Sequence, residues 1–258
     1  MNTFPEVCVL VPTYNRPEWL PLLINNLITQ KYPHEKLTCI IIDDGKIPLP
    51  FISDVEKVRE QIHPIKLEYH QSDSWMEIGV KRNLLCKTAL KIMGKNGIVC
   101  NMDDDDYFCP DYILYSVAML TKNPKTQIVG SNQMQFMYPF NDWKMSGMQC
   151  ESKRQIHESC LTMKLSHWKR MGGYGTNSQG EGSKLFDGVD QSSIELLDIR
   201  MLMICIGHKT NTIEKDQFYN DQTSLKMIFD MPVPKEIIKN ILKEGTAAGG
   251  IIKNILKI

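Results

Sequence analysis

Hydrophobic residues in the first half of the chain form short runs, separated by longer amphipathic stretches. Three of the four runs are nearly continuous rather than alternating, which is typical of strands covered on both faces in a parallel sheet. The predicted strands are 7–12, 37–42, 65–70 and 97–102. The stretches between them show the spacing of helices, and the predicted helices begin at Pro17, cover about 77–93 and follow Pro110. Strands that alternate with helices predict an α/β fold.

The second half of the chain is less regular. The predicted elements are strands over 130–138, 159–164 and 201–206 and a short helix over 166–171. Segment 175–182 is so rich in glycine and polar residues that it predicts a mobile loop.

The heptapeptide IIKNILK occurs twice near the end of the chain, at 237–243 and 251–257. We predict a main domain over 1–230 and an amphipathic helical extension over 231–258 that docks on it. A membrane-surface or self-association element is the alternative interpretation of these two copies.

The composition excludes several classes of protein. Among 258 residues, 30 Lys and Arg balance 30 Asp and Glu, so the basic excess of a nucleic-acid-binding protein is absent. No apolar stretch reaches the roughly 18 residues needed to span a bilayer. The N-terminus also lacks a secretory signal, so the sequence predicts a cytoplasmic protein with no transmembrane segment. The eight cysteines form no CxxC pair and are predicted to be core thiols.

Polar motifs follow three of the predicted strands, at 13–16, 43–45 and 103–106. Ligands bind outside the carboxyl ends of strands in open α/β sheets, so we expect these motifs to meet in one crevice. The four adjacent aspartates at 103–106 repel one another, and a hard divalent cation would relieve that repulsion. In an extended segment Asp103 and Asp105 point the same way and Asp104 points elsewhere. Asp103 and Asp105 are therefore predicted to bind Mn²⁺ or Mg²⁺, whereas a solvated acidic surface is the alternative.

Four motifs in this order resemble family 2 glycosyltransferases with the GT-A fold. They are VLVPTYNR at 9–16, IIDDG at 41–45, GVKRN at 79–83, and DDDD at 103–106 followed by Pro110 and Asp111. The resemblance covers about residues 5–215 and implies a Rossmann-like mixed sheet flanked by helices. The chain is also similar to glycosyltransferases of large DNA viruses, for which the expected location is the host cytoplasm or the virion.

The resemblance implies a site for a nucleotide-diphosphate sugar. Pro12, Tyr14 and Asp44 would lie near the base and ribose, Arg82 would lie near the diphosphate, and Asp103 and Asp105 would bind the metal. Arg16 and Asp104, which belong to the same motifs, are assigned to the donor site as well. The chemistry agrees, since Tyr14 can stack on a base, Asp44 can accept from a base N–H and Arg82 can pair bidentately with phosphate. Taken singly, these residues also suit a core aromatic, a turn aspartate and a surface ion pair.

The segment MICIGHKTNT at 203–212 resembles a strand ending in His-x-x-Asn-Thr in some relatives. There the histidine is a metal ligand, which implies the same role for His208, and a hydrogen-bonded structural histidine is the alternative. The acceptor-side acidic motif of the family, often Glu-Asp, is not present as such. The candidate catalytic bases are, in order of preference, Glu181, Asp190 and Asp187, and the alternative is that all three are loop or cap residues.

We therefore predict a metal-dependent glycosyltransferase that moves a sugar from a nucleotide-diphosphate donor, with a UDP-sugar favoured, to a hydroxyl of a glycan or protein. The resemblance implies inversion at the anomeric carbon. One alternative is a sugar-1-phosphate nucleotidylyltransferase, although the glycine-rich phosphate loop of that class is missing after the first strand. Another alternative is a non-catalytic module that binds a nucleotide sugar or a glycan.

Overall fold

The four apolar runs of the first half are neighbouring strands of one sheet. The structure is a computed structural model that describes residues 4–46, 55–141, 143–209, 211 and 247–257. The strands are β1 (Val7–Thr13), β2 (Leu37–Asp43), β3 (Lys66–Gln71) and β4 (Ile98–Asn101). They are mutually parallel in the order β4-β1-β2-β3. All four predicted strands are confirmed to within a residue or two at their ends.

Three further strands complete a seven-stranded mixed sheet in the order β10-β6-β9-β4-β1-β2-β3. They are β6 (Ile128–Gly130), β9 (Thr162–Lys164) and β10 (Ile194–Leu196). Strand β9 runs antiparallel to both of its neighbours, β4 and β6, while β10 is parallel to β6. The predicted mixed α/β class is confirmed.

A smaller sheet has the order β5-β11-β7-β8. Its strands are β5 (Tyr107–Phe108), β7 (Gln133–Tyr138), β8 (Lys144–Gln149) and β11 (Met203–Ile206). The prediction of one strand over 130–138 is wrong, because this stretch contributes to both sheets. The backbone carbonyls of Ser131 and Asn132 accept from the N–H groups of His157 and Cys150, and the chain turns there from β6 into β7.

Helices cover both faces of the large sheet. They are α1 (Leu20–Ile28), α2 (Val55–Ile62), α3 (Ile78–Met93), α4 (Tyr112–Lys122) and α5 (Leu165–Arg170). A further helix, α6 (Ala247–Leu256), packs against α1. Helix α2 was not predicted, since only Val58 and Ile62 on it are buried. No helix within the described part of the chain is long and apolar enough to cross a membrane.

Alternate residues of β1 contribute to two hydrophobic cores on opposite faces of the sheet. Val7 and Val9 pack in one core with residues of α1 and α4, and Cys8 and Leu10 pack in the other with residues of α3 and α5. Because both faces are covered, the apolar runs are continuous. The eight cysteines are free thiols, and all but Cys150 are buried, as predicted.

The second IIKNILK copy lies within α6 except for its last residue, Lys257, and α6 packs against α1. Ile252 is fully buried in a third core that also holds Trp19, Leu22 and Ile206. The first copy, at 237–243, and the predicted boundary between residues 230 and 231 lie outside the described residues.

Candidate functional site

Two adjoining cavities lie at the carboxyl ends of β1 and β4. The first, of about 180 Å³, is called the acidic pocket and its walls include Arg82, Asp103, Asp105 and Glu181. The second, of about 430 Å³, is called the Tyr14 pocket and its walls include Tyr14, Trp75 and Lys81. Both cavities share Pro12, Arg16, Ile78 and Ser178. The motifs after β1 and β4 therefore meet in one crevice, while the motif after β2 lies behind it.

Asp103 and Asp105 both face the acidic pocket. Asp103 accepts from Nη2 of Arg82 at 3.0 Å and from the hydroxyl of Ser159. Asp105 Oδ2 lies 2.7 Å from Nη1 of Arg16 and 3.0 Å from Nε2 of His208. Each carboxylate is thus held from a different side of the pocket.

Asp104 supports the site from within the protein, whereas Asp106 lines the acidic pocket. Asp104 accepts from the hydroxyl of Thr13 at 2.6 Å and from Arg16 at 3.2 Å, and it is absent from the pocket walls. Burial raises the pKa of Asp104 to about 7, while Arg16 opposes that rise. Asp106 accepts from the backbone N–H of Ile206 at 3.0 Å and so ties β11 to the aspartate run. Asp104, assigned from the sequence to the donor site, instead orients Arg16 and the end of β1.

The predicted metal ligands are brought together only in part. Asp105 and His208 are neighbours, and Asn211 Nδ2 lies 3.3 Å from Asp105 and 2.7 Å from His208. Asp103 is held by Arg82 instead, and the described residues contain no group of three or more His, Cys, Asp or Glu side chains that could hold a metal ion. The donors that do meet still fit a hard or borderline cation such as Mn²⁺ or Mg²⁺. Arg16, between Asp104 and Asp105, shows that this position accommodates positive charge.

Arg82 is the buried cation of the acidic pocket. It is 2% exposed, and its Nε donates to Oε1 of Glu181 at 2.9 Å while its Nη2 donates to Asp103. Its Nη1 is buried with no hydrogen-bond partner. An unsatisfied buried donor costs about 1–3 kcal/mol, and more for a charged group. A phosphate oxygen in the pocket would satisfy it.

Segment 175–182, predicted to be a mobile loop, packs against the first turn of α3. The backbone N–H of Gly79 donates to the carbonyl of Asn177 at 3.0 Å, and that of Ile78 donates to the hydroxyl of Ser178 at 3.1 Å. A Cβ at position 79 would lie 1.9 Å from the carbonyl oxygen of Gly175, so only glycine permits this approach. The contact places Glu181 beside Arg82, one turn further along α3.

Glu158, which the sequence analysis did not single out, also lines the acidic pocket. It begins the 3₁₀ turn before β9, and its Oε1 accepts from the backbone N–H of Gly182 at 3.2 Å. Burial and the nearby carboxylate of Glu181 raise its pKa. Because β9 is antiparallel, its first residues lie at the edge where the parallel strands end. The sequence places Glu158 just before a predicted strand, which was the available signal for a site residue. The direction of that strand in the sheet could not be predicted from the sequence.

The other two candidate bases lie elsewhere. Asp190 is exposed and caps the next 3₁₀ turn, accepting from the backbone N–H of Ser192 at 2.8 Å. Asp187 is exposed at the end of the preceding turn. Neither residue lines the acidic pocket. They correspond to the loop and cap interpretation, and Glu181 is the candidate that the structure brings to the pocket.

The Tyr14 pocket has aromatic and cationic walls. Nζ of Lys81 lies 5.8 Å from the centroid of the Tyr14 ring. Trp75, which the sequence analysis did not single out, is 56% exposed. Asp44 is not part of these walls. Its buried carboxylate pairs with Lys81 and accepts from the backbone N–H of Met76 at 2.6 Å. Asp44 therefore shapes the pocket through these two residues, and the expectation that it faces a base N–H is not met.

Residues 8–190 match glycosyl transferase family 2, so the chain belongs to that family. The predicted family is confirmed. Among curated protein sequences, no significant match is found.

Solved structures of low sequence identity have the same fold. The mannosyltransferase PcManGT from Pyrobaculum calidifontis, in complex with GDP-Man and Mn²⁺, is 19% identical with a TM-score of 0.58. That match covers 81% of this chain and 59% of PcManGT, so the chain spans less than two thirds of that protein. S. aureus TarS 1-349, in complex with UDP-GlcNAc, is 16% identical with a TM-score of 0.60, and the match covers 97% of this chain and 70% of TarS 1-349. These likenesses confirm the predicted GT-A fold.

Proposed function

We propose that the protein transfers a sugar from a nucleotide-diphosphate donor to a hydroxyl acceptor, a glycan or a protein. The observation that carries this proposal is the buried Nη1 of Arg82, which lacks a partner in a pocket lined by Asp103 and Asp105. A cation beside two carboxylates suits a diphosphate accompanied by a divalent metal. Membership of glycosyl transferase family 2 supports the same chemistry.

The Tyr14 pocket suits the nucleoside of the donor. Tyr14 and Trp75 offer ring faces for a base, and Arg16 lies on the walls of both cavities. The diphosphate of a donor bound here would enter the acidic pocket beside Arg82. PcManGT and TarS are complexed with GDP-Man and UDP-GlcNAc, and a UDP-sugar is the donor that we favour.

Asp105 and His208, with Asp103 on the same pocket, are the residues that would hold Mn²⁺ or Mg²⁺. Such a metal stabilises the negative charge that develops on a diphosphate leaving group. The contribution of this chain is to hold the ligands: Arg16 and Asn211 contact Asp105, and Arg82 and Ser159 contact Asp103.

A carboxylate in the acidic pocket would accept the proton of the acceptor hydroxyl, as general bases do. Attack from the side opposite the diphosphate inverts the anomeric carbon. Of the three bases predicted from the sequence, Glu181 lines this pocket.

The test is a thermal-shift titration with UDP-GlcNAc and GDP-mannose, each with and without Mn²⁺. A ligand that binds only the native state raises Tm, and we expect one of these donors to do so more strongly with Mn²⁺. Asp105→Asn and His208→Ala should remove the Mn²⁺ effect. The control Glu195→Gln, which removes one exposed carboxylate from β10, should retain it.

Binding is then compared with turnover by following release of nucleoside diphosphate. Slow release in the presence of Mn²⁺ supports a transferase. Donor binding without release would instead support a binding module, and no Tm shift with either donor would contradict the proposed donor site.

A further inference from the structure

Gly182 leaves room for the carboxylate of a different residue. A Cβ built at position 182 would lie 2.9 Å from both Cγ and Oε1 of Glu158 and 3.3 Å from its Cδ. The Glu158 carboxylate therefore fills the volume that a side chain at position 182 would enter. The backbone N–H of Gly182 donates to Oε1 of Glu158 and fixes it there.

The carboxylate of Glu181 is bound to Arg82. Its Oε1 accepts from Nε of Arg82, and it is 4% exposed. This hydrogen bond orients the Arg82 guanidinium, whose Nη1 has no partner and can donate to a ligand. Oε1 of Glu181 is therefore occupied by the arginine rather than left for an acceptor hydroxyl. Glu181 is a positioning residue for Arg82.

We propose, on the basis of the proposed function, that Glu158 is the catalytic base that activates the acceptor hydroxyl. In that step the hydroxyl oxygen forms a bond to the anomeric carbon and its proton passes to a carboxylate oxygen of Glu158. The bond between the anomeric carbon and the phosphate oxygen breaks, and its electron pair leaves with the nucleoside diphosphate.

The surroundings of Glu158 suit a base. Burial and the negative charge of Glu181 raise its pKa, while Arg82 and the N–H of Gly182 oppose that rise. A carboxylate with a raised pKa accepts a proton more readily than an exposed one. The short 3₁₀ turn at Glu158–Cys160 joins it to β9 in the large sheet, so the carboxylate stands on a rigid element.

The first experiment compares three glutamate-to-glutamine variants of the full chain. The assay follows nucleoside diphosphate released from UDP-GlcNAc or GDP-mannose with Mn²⁺, with water as the acceptor. General-base catalysis is worth about 10²–10⁴-fold, so Glu158→Gln should lower kcat by about that factor while the Tm shift with donor and Mn²⁺ stays. Glu181→Gln should weaken donor binding because Arg82 loses its orientation. The exposed control Glu195→Gln should match the parent protein.

The second experiment moves the carboxylate to the other side of the same volume. Glu158→Ala empties the volume, and the double variant Glu158→Ala with Gly182→Asp places a carboxylate into it from position 182. Gly182 has φ −71° and ψ −20°, a conformation that aspartate adopts readily. We expect kcat of the double variant to be at least tenfold higher than kcat of Glu158→Ala. The matched control Glu158→Ala with Gly182→Asn fills the volume with an amide and should recover nothing.

Each outcome decides the assignment. Unchanged kcat in Glu158→Gln, with a loss in kcat alone for Glu181→Gln, would overturn it and make Glu181 the base. Equal recovery by Gly182→Asp and Gly182→Asn would show that Glu158 only fills space. If the parent protein itself binds donor but releases no nucleoside diphosphate, the proposed function fails, and the role of Glu158 fails with it.

Discussion

At the scale of single residues, His167 shows how burial fixes a protonation state. Its ring is fully buried on α5, with Nε2 2.9 Å from the carbonyl oxygen of Leu185 and Nδ1 3.0 Å from Nη2 of Arg170. A carbonyl only accepts, so Nε2 carries the proton, and Nδ1 accepts from Arg170. Burial first, and then the charge of Arg170, lower the pKa of His167.

This environment predicts a loss of stability in mild acid. The unfolded chain takes up a proton on His167 near pH 6.5, whereas the folded chain takes it up only at lower pH. The unfolded state therefore binds more protons in that interval, and the free energy of unfolding falls as pH drops below about 6.5. Urea unfolding at pH 7.5 and 5.5 should show a smaller difference for His167→Gln than for the parent protein. His63→Gln, at an exposed histidine, is the control, and an equal reduction in both variants would contradict the assignment.

The positions of site residues could be predicted where a polar motif follows the end of a parallel strand. Asp103, Asp105 and Arg82 reach the pocket because adjacent parallel strands and the helices after them bring their ends to one edge. The orientation of Asp44 was not predictable, since its ion pair with Lys81 comes from another element. Glu158 was not predictable either, because the direction of β9 depends on pairing with β4 and β6, which are distant in sequence.

At the scale of elements, the strands of the first half could be predicted from the sequence. Each buried strand there pairs with a neighbouring strand that is also a nearly continuous run of apolar residues. The second half could not be predicted in this way, because short strands such as β10 have only three residues and gain their stability from partners far along the chain. At the break, the carbonyl of Ser131 accepts from the N–H of His157, which lies 26 residues further along the chain. Periodicity carries no information about such contacts.

The packing of segment 175–182 on α3 gives a prediction at this scale. Gly79→Ala puts a methyl group 1.9 Å from the carbonyl oxygen of Gly175, and the loop must move. Overpacking of this kind costs about 1–3 kcal/mol, measurable by urea unfolding. Donor-dependent release of nucleoside diphosphate should fall as well, because the loop carries Glu181.

The matched control is Gly250→Ala on α6. A Cβ at position 250 meets no atom within 4 Å. Replacing a helical glycine by alanine stabilises by about 0.5–1 kcal/mol, so this variant should be as stable as the parent or slightly more so. Equal destabilisation of both variants would show that the loop contact with α3 does not depend on the absence of a side chain at position 79.

At the scale of the whole molecule, α6 is connected to the candidate site through one aromatic residue. Ile252 of α6 and Trp19 belong to the same core, and the Trp19 ring lies 4.3 Å from that of His208, centroid to centroid. His208 in turn contacts Asp105 at 3.0 Å. Helix α6 thus supports, through Trp19, the proposed metal ligand His208.

This connection predicts that a change in α6 affects both stability and donor binding. Ile252→Ala removes a fully buried side chain, and truncations of this kind cost about 2–5 kcal/mol. Loss of this support lets Trp19 shift against His208, so the Tm increase produced by UDP-GlcNAc or GDP-mannose with Mn²⁺ should shrink. Asn254→Ala changes the exposed face of the same helix and should alter neither quantity. A large loss of stability with an undiminished Tm increase would show that α6 stabilises the domain without supporting the site. A loss as small as that of Asn254→Ala would show that α6 contributes little to folding in solution.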